Sequence, residues 1–111
     1  MPRIEFGIHS PTHAMYDFEV VSKMAALAEE LEYDYFMIGD HFFSSKKRYE
    51  LLGWDPRKPT KLDAWATLLM LALKTRKIKI GPCVSPIIFY LPSRLARMAT
   101  CVDILSKGRL I

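Results

Sequence analysis

The chain has 111 residues, half of them hydrophobic and a quarter charged, which suits one small globular domain with a modest core. That balance excludes a disordered segment, a collagen-like chain and a disulfide scaffold, and the longest apolar run, near Trp65–Leu73, is too short to cross a bilayer. The formal charge of +4 raises nucleic acid as a partner, but the basic residues are dispersed and no aromatic or helical presentation goes with them.

Ile4-Glu5-Phe6-Gly7-Ile8 alternates in the manner of a first strand, and a loop with Pro11 and Thr12 follows. Val20, Val21, Met24, Leu27, Ala28 and Leu31 then recur at three- and four-residue spacing, which predicts an amphipathic helix over about Met15–Leu31. Asp17 and Glu19 suit the positive end of its dipole. Tyr35-Phe36-Met37-Ile38 reads as a buried strand that breaks off at Gly39-Asp40-His41. From Phe42 to Leu62 no periodicity holds, so the segment is expected to be a long loop, and loops of that length are usually functional. Its Lys46-Lys47-Arg48 run, with Arg57, Lys58 and Lys61, reads as solvated surface, or else as an attractor of an anionic cofactor or substrate.

Asp63 is placed to cap a second helix carried by Trp65, Leu68, Leu69, Leu71, Ala72 and Leu73, apolar over much of its circumference and therefore substantially buried. Ile78-Lys79-Ile80-Gly81 begins a third strand. Pro92 fits the first turn of a third helix, with Leu95, Met98, Ala99, Val102 and Leu105 as its core stripe and Gly108 as its stop. Arg109-Leu110-Ile111 starts a fourth strand. Cys83 and Cys101 lack a Cys-x-x-Cys spacing and read as reduced core thiols of a cytoplasmic protein. The N-terminus moves straight into the first strand, with no signal peptide in view.

Alternating strands and helices at this spacing predict parallel strands joined by right-handed crossovers. A doubly wound dinucleotide fold would place Gly-x-Gly-x-x-Gly after the first strand, where this chain has Gly7-Ile8-His9-Ser10-Pro11. Part of a (β/α)8 barrel is therefore the expected α/β architecture: about three βα units and the start of a fourth strand, in one domain over residues 1–111.

In such a barrel the chemistry sits at the C-terminal strand ends. These offer His9, Ser10 and His13, then Asp40 and His41, then Cys83, Val84 and Ser85. Asp40-His41 is the most informative pair, since an imidazole there can hydrogen-bond a bound ring or exchange a proton near neutral pH. A polar cap on the strand is the plainer alternative. Zinc hydrolase barrels want a His-x-His at the first strand end; His9 and His13 are spaced differently, and no metal site is expected. Two prolines within Gly81-Pro82-Cys83-Val84-Ser85-Pro86 point to a bulge or a sharp bend, or to a simple exit into a loop.

Several blocks taken together resemble the luciferase-like monooxygenase superfamily. They are Phe6-Gly7-Ile8, Ala28 to Asp34, Ile38-Gly39-Asp40-His41-Phe42, Leu62-Asp63-Ala64-Trp65, Lys77 to Val84 and, most tellingly, Asp103 to Ile111. The resemblance implies an oxidoreductase that transfers hydride through a flavin or deazaflavin ring, FMN or coenzyme F420, with the F420 branch favoured by Gly39-Asp40-His41-Phe42. It implies that His41 and Asp40 lie beside the ring in catalytic and binding roles. Cys83, Val84, Ser85 and His9 would complete the cofactor site. It also implies a non-prolyl cis bond at Cys83–Val84, and a loop after the second strand that covers a small-molecule substrate, with Phe43 and Trp54 as contacts. Alternatives are an FMN-dependent monooxygenase of the same superfamily, or a noncatalytic fragment that pairs with a partner. Family members are much longer than this chain, so a truncated barrel completed by a homo-oligomer or a complementing chain is expected, without nucleic acid or membrane as partners.

Overall fold

The computed structural model describes residues 3–10, 17–42, 45–51, 53, 55 and 62–111. Three parallel strands, β1 (Gly7–Ser10), β2 (Tyr35–Ile38) and β3 (Lys79–Pro82), lie side by side in chain order. Helix α1 (Phe18–Glu30) joins β1 to β2; α2 (Lys46–Leu51) and α3 (Ala64–Lys74) lie between β2 and β3. After β3 come a 3-10 turn (Ile87–Phe89) and α4 (Pro92–Ser106). Leu110 then makes an isolated parallel bridge to Ile80, so a further extended segment joins the sheet beside β3. The order never reverses among these elements, whereas a doubly wound sheet changes direction at a switch point.

The pleat explains which residues form the core. Ile8, Phe36 and Ile80 stand in register, and with Ile38 they face the helices. Phe36, Ile38 and Ile80 are wholly buried against Val21, Ala25 and Ala28 of α1, Leu68, Leu71 and Ala72 of α3, and Val102 of α4. The opposite face carries Gly7, His9, Tyr35, Met37, Lys79 and Gly81. There Lys79 lies 4.9 Å above the Tyr35 ring and 3.5 Å from the Glu5 carboxylate. A Cβ on Gly81 would run into the carbonyl oxygen of Ile111, so only glycine lets the last segment approach this closely.

Local chemistry fixes most element ends as the sequence implies. Asp63 Oδ1 accepts the Ala66 N–H at 2.7 Å and caps α3, and Pro92 opens α4. Asp17 is itself the cap of α1, accepting from Val20 at 2.9 Å, so the helix starts at Phe18 and not near Met15. At the far end of α4 the left-handed conformation falls on Lys107 (φ 60°) as well as Gly108 (φ 79°).

Other expectations need correction. The first strand runs Gly7–Ser10 and not Ile4–Ile8, because Asp34 takes up the chain before it. Its carboxylate accepts the Phe6 N–H at 2.9 Å, and its own N–H donates to Phe6 O at 2.8 Å. Ile4 and Phe6 are exposed. Helix α2 interrupts the expected loop; it buries no residue and is held locally, by the Ser45 hydroxyl on the Arg48 N–H and a Lys46–Glu50 pair. The α1 stripe is Val21, Met24, Ala25 and Ala28, with Val20, Leu27 and Leu31 outside it; Leu73 and Leu105 are likewise exposed. Cys83 and Cys101 are free thiols but exposed, not core: Cys83 lies just past β3, and Cys101 is one residue out of phase with buried Val102.

Candidate functional site

Three strand ends converge on one place. β1 delivers His9, whose Nε2–H donates to the Cys83 carbonyl at 2.9 Å, just beyond β3. The Cys83–Val84 peptide bond is cis, as the resemblance implied. Between them β2 is followed by Gly39. A Cβ there would stand 3.3 Å from His9 Nε2 and 3.2 Å from His41 Cδ2, so glycine lets two imidazoles approach the same stretch of backbone. His41 and Val84 are exposed, and His41, Phe42 and Leu62 help to line a recess of about 200 Å³.

Asp40 lines the same recess, but its carboxylate is almost wholly enclosed. The residue is 5% exposed, and its Oδ2 accepts two hydroxyl donors, Ser85 Oγ at 2.8 Å and Tyr90 OH at 2.7 Å. Ser85 Oγ in turn accepts the Trp65 indole N–H at 3.0 Å. An indole can only donate and an ionised carboxylate can only accept, so each proton in this relay points toward Asp40. Burial, followed by the Asp40 carboxylate, pushes the Tyr90 phenol above its ordinary range. Phe42, on the far side of His41, packs against Phe89 (centroids 4.5 Å apart) and edge-on to Tyr90 (5.8 Å).

A larger hollow of about 570 Å³ lies at the opposite, N-terminal end of the strands. Its walls include Glu29 and Asp34, whose carboxylates are already engaged by main-chain N–H groups and, for Asp34, by Arg3. Size alone therefore does not mark the site; the convergence of exposed imidazoles and apolar surface does.

The model of the luciferase-like monooxygenase family matches residues 4–111. The chain belongs to that family. Among solved structures, it is similar to the coenzyme F420 dependent tetrahydromethanopterin reductase from Methanopyrus kandleri, with TM-score 0.77 and 22% identity over 99% of this chain and 26% of that one. A monooxygenase from Streptomyces bottropensis matches with TM-score 0.74 and 25% identity over 96% of this chain and 31% of that one. The oxygenating constituent of 3,6-diketocamphane monooxygenase from Pseudomonas putida, a type II Baeyer–Villiger enzyme in complex with FMN, matches with TM-score 0.72 and 19% identity. That match covers 98% of this chain and 28% of the other. The chain thus spans between a quarter and a third of the length of these structures. No curated protein matches it.

Of the positions singled out in this luciferase-like chain, His9, His41, Cys83 and Val84 come together, while Asp40 and Ser85 lie behind them in the hydroxyl relay. Ser10, at the end of β1, turns to the helix side, where its hydroxyl is buried without a hydrogen-bond partner. His13, Phe43 and Trp54 lie outside the described residues. Tyr90 and Trp65 are the members that sequence reasoning did not connect to the site. Tyr90 is the one polar tip in the run Ile87-Ile88-Phe89-Tyr90, but nothing local ties it to Asp40, fifty residues earlier. Among the described residues no three His, Cys, Asp or Glu side chains gather as a metal site, and no helix is long and apolar enough to cross a membrane.

Proposed function

We propose that the chain is the first part of a (β/α)8 barrel oxidoreductase that binds a flavin or deazaflavin ring at the C-terminal ends of its strands. The observation that carries this reading is the meeting of His9, His41 and the Cys83 carbonyl across Gly39, at the ends of three adjacent parallel strands. The residues present fit a planar heteroaromatic ring. Exposed imidazoles can hydrogen-bond its polar edge, and the exposed Val84 side chain offers an apolar surface beside them. When bound, such a ring supplies hydride transfer, the chemistry that no side chain here can perform.

The chain's own contribution is to hold and orient. His9 is fixed by its bond to the Cys83 carbonyl, which leaves Nδ1 as the acceptor of its neutral form. His41 carries the polar contact to the ring, and Val84 keeps water from one side of it. The sheet face lined by His9, Met37, Tyr35 and Lys79 is open to solvent or to further strands, in keeping with a barrel interior that the rest of a longer protein would fill. F420 is the favoured ring on the Gly39-Asp40-His41-Phe42 block, and an apolar small molecule beside Phe42 is the favoured substrate.

Fluorescence titration of the protein with F420 and, in parallel, FMN tests this reading. Saturable binding of one ring, weakened at least about tenfold by His41→Ala, is the expected result and settles the branch. Binding of both rings that is indifferent to His41 would remove the site from these strand ends.

A further inference from the structure

Residue 41 sits between two anchors, and both are reached from one side chain. The residue before it, Asp40, takes the Tyr90 hydroxyl at 2.7 Å; the residue after it, Phe42, meets the Tyr90 ring edge-on at 5.8 Å. Tyr90 comes from the turn between the 3-10 segment and α4, after the chain has left β3. It therefore spans the exits of two strands. Its neighbour Phe89 reinforces the aromatic arm, at 4.5 Å from Phe42. Behind Asp40, Ser85 and Trp65 supply the second hydroxyl bond and its support, so the carboxylate is held from both the loop after β3 and the first turn of α3.

We propose that Tyr90 is the positioning residue for His41, pinning the Asp40–Phe42 segment at both ends so that the imidazole is presented to the ring in one orientation. The proposal rests on the functional reading above for what His41 contacts, but not for the clamp itself. A backbone held only by its strand would be free to swing after Ile38, the last residue of β2. Here, the two residues flanking His41 are tied to a different element by two unlike interactions. One is a charge-assisted hydrogen bond, which is short and directional; the other is ring packing, which tolerates small shifts. Together they fix both the height and the rotation of residue 41. The chemistry also accounts for tyrosine at position 90: phenylalanine would keep the packing and lose the bond, and serine would do the reverse.

The test uses two readouts. In the ligand-free protein, the ring carbon–proton resonances of His41, assigned with His41→Ala, are recorded for wild type, Tyr90→Phe and Phe42→Leu. Expected is one sharp set in wild type, and shifted or multiple sets in both variants, while His9 keeps its resonances through its bond to Cys83. In the second readout, Tyr90→Phe weakens ring binding by about tenfold in the wild-type background and by less than about twofold in a His41→Ala background. Unchanged His41 resonances in both variants overturn the proposal, and so does an equal loss of affinity with and without His41. If wild type binds neither F420 nor FMN, the functional reading fails, and the resonances alone then decide for or against the clamp. Phe42→Leu carries the same decision should Tyr90→Phe fail to fold.

Discussion

At the N-terminal end of the strands, Glu29 and Arg109 are held mainly by main-chain groups; at the C-terminal end, Asp40 is held by hydroxyls. Glu29 reaches from α1 to accept the N–H groups of Arg76 (2.8 Å), Lys77 (2.6 Å) and Ile78 (2.9 Å) in the turn before β3. Arg109 donates to the carbonyls of Ala72, Thr75, Ile78 and Ser106 and to the Thr75 hydroxyl. Main-chain partners survive almost any substitution at their own positions, so this end is insulated from sequence change and serves stability. The Asp40 partners are side chains, each replaceable, and Asp40 directly precedes an exposed imidazole. A parallel barrel divides its two ends in this way. A shielded charge is informative through the kind of partner it recruits.

Arg109 is the strongest lever on this division. Arg109→Met leaves several buried carbonyls unpaired and should cost about 3–4 kcal/mol in urea unfolding, while leaving ring affinity per folded molecule unchanged. A large loss of affinity in the folded fraction would mean that the two ends are not separate. Glu29→Gln should cost about 2 kcal/mol at neutral pH. Burial by itself would raise the Glu29 carboxyl, but the Ile78, Lys77 and Arg76 N–H groups with Arg109 outweigh it and hold it below its ordinary 4.5. A depressed folded value means stability that is present above the unfolded value and lost as pH falls through the folded one. The difference between wild type and Glu29→Gln should therefore be full at neutral pH and shrink below about pH 4.5. A difference that persists unchanged into strong acid would show that packing, not charge, holds this turn.

At the other end, burial and Asp40 raise the Tyr90 phenol, so its neutral form favours folding below the ordinary tyrosine range near 10 and that contribution fades as pH rises through the folded value. The phenolate absorbance that Tyr90→Phe removes should appear only in strong alkali, and Asp40→Asn should bring it to lower pH. No movement in Asp40→Asn would leave burial as the whole cause. The smallest effect belongs to neither end's charge: Glu32 closes α1 in the left-handed region at φ 60°, so Glu32→Gly should stabilise by about 0.5–1 kcal/mol, measured in urea. A loss of stability would mean that its side chain holds the turn.

What the sequence made legible follows the same division between local and distant partners. Asp63 caps a helix three residues away, Pro92 opens one in place, and Tyr35–Ile38 carries its own apolar run; these needed no tertiary knowledge. The start of the first strand is not legible locally, because Asp34, 28 residues from Phe6, decides where pairing begins. Helix α2 is invisible to periodicity because it buries no residue and so has no apolar face to find. At the site, His9, His41, Cys83 and Val84 were recognisable as strand-end groups. Their assembly through Gly39 and the linking of Asp40 to Tyr90 depend on contacts made only once three strands stand in register.

The strand order has a further consequence for how the molecule is made. Because every strand pairs with the one before it, each unit can dock on a finished template as the chain leaves the ribosome, without waiting for a later segment to be threaded between earlier ones. Arg109 follows all its acceptors, Ala72, Thr75, Ile78 and Ser106, in the chain, so the guanidinium is the last member of this network to be synthesised. Once in place, this one guanidinium ties together α3, the turn before β3 and the end of α4.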